Sequence, residues 1–244
     1  MLVLDEPTSH LDIKHKIEVI RILNRLALEN GLTVILALHD IDIAMKFCQI
    51  ILMIKDGKVV AQGHPEDIVG RDTVSELYDI DGAYFDSVLG SVEICNEAEP
   101  LVFVAAGAGT GIPVYRMISR MGLGIATGIL AENDIDYSVA AAMKLKVISA
   151  EAFEPFGAEQ KKEAVHQIDK CKVLIDAGFP VGSMNASNIH ILRDAAERGY
   201  RLLSLRSKEE CEKLYGEKEN IEVLSSLSEL SEVLLAYGSR RREI

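Results

Sequence analysis

The 244-residue chain lacks any run of eighteen uninterrupted apolar residues, so no segment spans a bilayer by itself. Basic residues are the scarce charge. Lys and Arg number 26 against 38 Asp and Glu, giving a formal charge of −12 and a pI near 5.0. Nucleic-acid binding needs a basic face, and this balance argues against one. Cysteine is sparse as well: Cys48, Cys95, Cys171 and Cys211 are scattered and form no CxxC. They fit reduced cytoplasmic thiols, each a small buried hydrophobe, rather than a disulfide framework or a zinc site. The opening MLVLDEPTSHLD has no positively charged leader, which predicts no secretory signal. His10, His15, His64, His166 and His190 show no metal-ligand spacing and read as surface or loop residues. What is present is ordinary for a globular protein: 48% apolar and 26% charged residues, which excludes disorder and collagen-like structure.

The acidity is uneven. Between residues 64 and 99 ten acids face one base, Arg71. We read this stretch as an acidic connection with a solvated surface. The division that follows is 1–63, a connection over 64–99, a second domain over 100–237 and a tail over 238–244.

In the first part, Met1–Leu4 reads as a short buried strand. Ile13, Ile17, Ile20, Leu23 and Leu26 recur at helical spacing, and Gly31 stands where a helix would stop. Leu32–Leu38 is an aliphatic run of strand length, so strand, helix and strand make a βαβ unit with a parallel pair. A helix around Ile43–Cys48 comes next. Strands Ile50–Ile54 and Val59–Gln62 then flank Asp56-Gly57, a hairpin signal. The second part repeats a βα rhythm six times. Its strands are 101–106, 123–130, 146–149, 172–176, 201–205 and 221–224; its helices are 112–121, 136–143, 158–170, 186–198, 207–214 and 228–236. That alternation predicts an open, doubly wound α/β domain.

The strongest chemical signal is Asp5-Glu6-Pro7-Thr8-Ser9-His10-Leu11-Asp12, which follows a strand directly. Ligands of parallel α/β sheets bind at the carboxyl ends of strands, where both leading acids fall. The next strand ends in His39-Asp40, so Glu6 and His39 should emerge at one sheet edge. Two acids and a histidine there suit metal-assisted phosphoryl chemistry.

LVLDEPTSHLD, His39 and the later LALHDIDIAMKFCQIILMIKDGKVVAQGHPEDI closely resemble the nucleotide-binding subunit of ATP-binding-cassette (ABC) transporters, and more narrowly the group importing iron chelates and cobalamin. The resemblance covers about residues 1–80. It implies ATP and Mg²⁺ as cofactors, with Asp5 holding Mg²⁺ through water and Glu6 as the catalytic carboxylate that polarises the attacking water. It also implies Ser9 and Asp12 in a loop that faces a partner subunit, and His39 on the γ-phosphate. The implied partners are a second ATPase subunit in a homodimer and a membrane permease, without direct membrane insertion and without nucleic acid. The implied place is the cytoplasm, peripheral at the inner face of the cell membrane. The sequence departs severely from the family in three respects: it contains no GxxxxGK[ST] phosphate loop, no LSGGQ-like signature and no Q-loop. Met1 falls where the family is past the middle of its domain. The expectation is a C-terminal portion of an ABC ATPase that alone neither binds ATP tightly nor hydrolyses it.

The second domain resembles the extra C-terminal Rossmann-like domain of some prokaryotic ABC ATPases. Its first strand runs into Gly107-Ala108-Gly109-Thr110-Gly111, a GxGxG rather than GxGxxG turn, and it has no lysine for a phosphate loop. Asp134 follows the second strand, where a dinucleotide fold places its ribose-binding acid. Asp176 ends the fourth strand ahead of Gly178 and the loop through Asn185. Gly107, Gly109, Gly111, Asp134 and Asp176 therefore outline a candidate crevice for a ligand the sequence does not name. The alternative is that the glycines serve strand–helix packing and the polar residues cap helices, with Asp136 and Asn185 as N-caps. The fold class is thus α/β, an ABC ATPase portion followed by a doubly wound, mostly parallel Rossmann-like domain. A second function stays open beside the ATPase: a non-catalytic module sensing a small, nucleotide-like ligand. The broken fingerprint speaks against a dinucleotide-dependent oxidoreductase.

Overall fold

A computed structural model of the chain describes residues 1–68, 74, 77, 78, 82–86 and 90–238. Much of the expected acidic connection between 69 and 81, and the tail beyond Gly238, lie outside the described residues. The chain divides into two compact units, residues 1–80 with 89–91 and residues 81–88 with 92–244. The stretch 64–99 is therefore shared between the units. Glu93 belongs to the second; it is 2% exposed and its carboxylate pairs with Arg116, so this acid is not part of a solvated face.

In the first unit, β1 (Leu2–Asp5) and β2 (Val34–Ala37) pair in parallel, with Asp5 opposite Ala37. They are joined by α1 (Ile13–Asn30), whose N-cap Asp12 accepts a hydrogen bond from the His15 amide. Gly31 ends α1 at φ 58°, a left-handed conformation that glycine adopts without a Cβ penalty. Ile20 and Leu23 are buried on one stripe of α1, the face expected from the 3.6-residue period. Then come α2 (Ile41–Phe47), the antiparallel pair β3 (Ile51–Lys55) and β4 (Lys58–Gly63), and α3 (Pro65–Ile68). Asp56 and Gly57 both have positive φ, as the type I′ hairpin turn requires. Side chains of β1 and β2 alternate between half-buried and exposed, and Val3 and Ile35 are 61% and 49% exposed.

In the second unit, β5 (Ala83–Asp86) and β6 (Ser91–Ile94) pair as a two-stranded piece. The main sheet has six strands: β7 (Pro100–Ala105), β8 (Gly124–Ala131), β9 (Lys146–Ala150), β10 (Val173–Asp176), β11 (Leu202–Ser204) and β12 (Ile221–Val223). All its pairings are parallel. Between them run α4 (Gly111–Arg120), α5 (Ile135–Ala142), α6 (Ala158–Lys170), α7 (Ala186–Glu197) and α8 (Lys208–Tyr215), with α9 (Leu227–Gly238) last. The spatial order is β12-β11-β10-β7-β8-β9. Numbered within this sheet alone the order is 6-5-4-1-2-3, the doubly wound Rossmann order, with its switch point between β7 and β10. The central strands are covered on both faces: Val102, Val104, Val173, Leu174 and Ile175 are fully buried. Such continuous apolar runs are what a parallel sheet sandwiched between helices demands.

Candidate functional site

The first site lies at the carboxyl ends of β1 and β2. The register that sets Asp5 opposite Ala37 brings the next residues together, and the Glu6 amide donates to the Ala37 carbonyl at 3.1 Å. His39 Nε2 lies 2.5 Å from Glu6 Oε1, and the Ser9 hydroxyl donates to Glu6 Oε2 at 2.8 Å. The Ser9 bond, then His39, hold the Glu6 carboxyl below the usual glutamate range. Glu6 (φ 45°) and His10 (φ 64°) both stand in the left-handed region, an uncommon backbone state that clusters at functional sites. Asp5 is exposed at the strand end. Asp12 is turned to its own helix and to His15, with His15 Nδ1 2.8 Å from its Oδ1. Asp40 caps α2 through the Ile43 amide and accepts from Lys16. His10, His15, His64, His166 and His190 are all exposed.

The donor set suits magnesium. Mg²⁺ commonly takes one or two carboxylates, waters and substrate phosphates rather than an all-protein cage. Asp5 offers an exposed carboxylate, while both Glu6 oxygens are engaged by side chains. No cluster of three or more metal-binding side chains exists among the described residues.

The second site is a crevice of about 480 Å³ in the second unit, outside the carboxyl ends of β7, β8 and β10. Gly107 and Asp134 line it; Gly109, Gly111 and Asp176 do not. The reason lies in where the carboxylates go. Asp134, not Asp136, is the N-cap of α5, accepting from the Asp136 amide. Its two oxygens also accept from the Ala108 amide at 3.1 and 2.9 Å. Asp136 sits inside the first turn of α5, buried, and turns back to the glycine loop. It accepts from the amides of Gly109, Gly111 and Ile112 at 3.0–3.1 Å. Burial raises the Asp136 carboxyl above the usual aspartate range despite those bonds. Gly111 is needed for space: a Cβ there would meet the Tyr115 ring at 2.6 Å and Ala106 at 2.7 Å.

Asp176 is wholly buried. It accepts from Arg206 Nε and the Tyr215 hydroxyl, both at 2.6 Å, and from the Gly178 amide. Arg206 also donates to the Phe179 carbonyl and stacks on the Phe179 ring. Asp176 therefore ties the strand end to α8 and offers nothing to a ligand. Asn185 occupies the N-cap position of α7 without capping it. Its side chain instead accepts from the Gly182 amide and donates to the Pro180 carbonyl, bracing the loop.

Sequence reasoning missed three contributors. Asn188 on α7 brackets Ile129 of β8, donating to its carbonyl and accepting from its amide. Phe156 lines the crevice from a buried position, and Phe153 lines it while 78% exposed at φ 65°. A lone polar residue on a helix and aromatic residues in a short loop carry no periodic signal, and only the tertiary path brings them together. Arg206, the buried partner of Asp176, was equally silent.

Comparison with known proteins bears on both units. The sequence model of the MJ0874 family matches residues 125–235. An ABC transporter ATP-binding protein of Methanocaldococcus jannaschii, MJ0873, is 41% identical over 133 residues, 54% of this chain and 46% of that protein. The cobalamin import ATP-binding protein BtuD of Halobacterium salinarum is 30% identical over 148 residues, 57% of this chain and 37% of its own length. The petrobactin import ATP-binding protein YclP of Bacillus subtilis is 37% identical over 79 residues, 32% of this chain and 31% of that protein. The chain thus spans less than half the length of these curated relatives. No helix among the described residues is long and apolar enough to cross a membrane. The chain is similar, over part of its length, to ABC transporter ATP-binding proteins that include ones named for cobalamin and petrobactin import, and it joins a unit that carries DEPTSHLD and His39 to a Rossmann-like α/β unit.

Proposed function

We propose that the first unit supplies the hydrolytic edge of an ATP-binding site in an importer for iron complexes or cobalamin. The observation that carries this reading is the convergence of Glu6, Ser9 and His39 at the end of a parallel strand pair. Asp5 would hold Mg²⁺ through water; the cation supplies charge neutralisation at the phosphates. Glu6, kept ionised by the Ser9 and His39 bonds, orients and polarises the attacking water. His39, 79% exposed, is free to turn to the γ-phosphate. Ser9 and Asp12 lie on the loop that would face a second ATPase subunit, and a membrane permease would receive the motion. The protein would work in the cytoplasm, at the inner face of the membrane.

On this reading the chain by itself does not hydrolyse ATP. Phosphoryl transfer depends on positioning by a phosphate loop and its lysine, and no GxxxxGK[ST] occurs in these 244 residues. The full chain with ATP and Mg²⁺ should release no phosphate above background. A Mg²⁺-dependent rate in the chain alone that Glu6→Gln abolishes contradicts this.

The crevice supports a second reading, a non-catalytic module sensing a small, nucleotide-like ligand. Its volume and mixed lining are those of small-molecule sites. Thermal shift of the full chain with AMP, ADP, NAD, a nucleoside or a corrinoid tests it, and no response to any of them defeats it.

A further inference from the structure

The glycine loop of the second unit has no amide left for a phosphate. Every backbone N–H from 107 to 112 is paired within the protein. Gly107 donates to the Thr110 hydroxyl and Thr110 to the Gly107 carbonyl. Ala108 donates to Asp134, and Gly109, Gly111 and Ile112 donate to Asp136. In a dinucleotide fold such amides, at the mouth of the first helix, hold the pyrophosphate. Here two carboxylates stand where the phosphate oxygens would be. An arriving phosphate must displace them and remain beside their charge.

The crevice offers no cationic side chain. Its lining contains no Lys, Arg or His, and its ionisable side chain is Asp134. Asp134 Oδ2 accepts from the Ala108 amide alone, which leaves lone-pair capacity at the rim for a hydroxyl donor. The rest of the wall mixes apolar and aromatic residues, Leu130, Phe156 and Met184 among them, with the uncharged polar Asn133, Ser183 and Asn185. Phe153 adds a ring that is 78% exposed on a left-handed backbone. Such a backbone is uncommon for a non-glycine residue and clusters at functional sites.

We infer that the crevice binds an uncharged, hydroxyl-bearing ligand with a planar ring, of the nucleoside class, and excludes its phosphorylated counterparts. The ring lies against Phe153 and Phe156, and a sugar hydroxyl donates to Asp134. This rests on the sensing reading above and narrows its ligand.

The test is calorimetric titration of the full chain with adenosine, guanosine, cytidine and uridine, each beside its 5′-monophosphate. At least one nucleoside should bind saturably, with its monophosphate roughly tenfold weaker or worse, about the weight of one unfavourable charge contact. Phe153→Ala, at an exposed position, should leave thermal unfolding unchanged. It should weaken the nucleoside by roughly tenfold, as loss of one stacking surface does. A monophosphate that binds as tightly as its nucleoside overturns the exclusion and leaves the sensing reading standing. Full affinity in Phe153→Ala removes the aromatic seat from the account. No binding by any of the eight compounds at about 1 mM, the weak limit of specific recognition, overturns the nucleoside assignment; the sensing reading falls with it only if ADP, NAD and a corrinoid also give no thermal shift.

Discussion

The carboxylate of Asp136 lies 3.1 Å from the backbone nitrogen of Gly111 through each of its two oxygens. One side chain on the second helix of the α/β unit thereby closes the glycine turn that opens the first helix. Asp136→Ala would leave the amides of Gly109, Gly111 and Ile112 without their acceptor. An unpaired buried donor costs about 1–3 kcal/mol, so we expect a loss of about 3 kcal/mol in urea unfolding monitored by far-UV circular dichroism. Asp134→Ala, which removes a cap, should cost about 1 kcal/mol. Equal, negligible effects would mean that the loop holds its shape without these carboxylates.

Tyr115 makes the opposite prediction. It is fully buried, and its hydroxyl has no hydrogen-bond partner among the described residues. Burial, with Asp136 and Asp134 nearby, pushes its ionisation well above the usual tyrosine range. Tyr115→Phe removes an unsatisfied polar group without opening a cavity. Stability should be unchanged or higher by about 1 kcal/mol in the same assay; a clear loss would show that the hydroxyl is satisfied in solution.

Asp176 and Arg206 form a buried pair with 0% and 6% of their side chains exposed. Asp176→Ala strands the guanidinium and should cost about 3–5 kcal/mol. Replacing both partners, with Arg206→Met added to Asp176→Ala, should recover part of that loss in a double-mutant cycle. A double variant less stable than Asp176→Ala alone refutes the stranded-charge argument.

Burial should protect the native cysteines, Cys171 most of all. Burial pushes the Cys171 thiol up to about 12. The thiolate is the nucleophile, so at pH 8 native Cys171 should resist iodoacetamide for as long as the α/β unit stays folded. In urea all four cysteines should be alkylated at similar rates. Rapid labelling of native Cys171, followed by mass spectrometry, would show that its surroundings open readily.

Much of this architecture was legible in the sequence. The apolar runs ending in Ala105, Ala131, Ala150 and Asp176 are long and branched enough to have one reading, and the helices between them follow from amphipathic spacing. The pairing of Glu6 with His39 was legible because a parallel register carries consecutive strand ends to one edge. Asp136 was misread as an N-cap because it precedes a helical run, and so does Asp134, which is the residue that caps. Which of two nearby acids caps depends on the path of the preceding strand, and that path is tertiary. Asp176 looked like a ligand-facing strand end. Its partner Arg206 lies 30 residues on, and no local pattern joins them.

The proposed function makes Glu6, just past β1, the carboxylate of an ATP-hydrolysing site that takes its phosphate loop from another polypeptide segment. The direct measurement is phosphate release when the full chain is mixed with a polypeptide carrying the GxxxxGK[ST] and LSGGQ segments of an ABC ATPase. The account predicts a Mg²⁺-dependent rate in the mixture, absent from either component, that falls by at least about a hundredfold with Glu6→Gln. A mixture whose rate is indifferent to Glu6→Gln would contradict it.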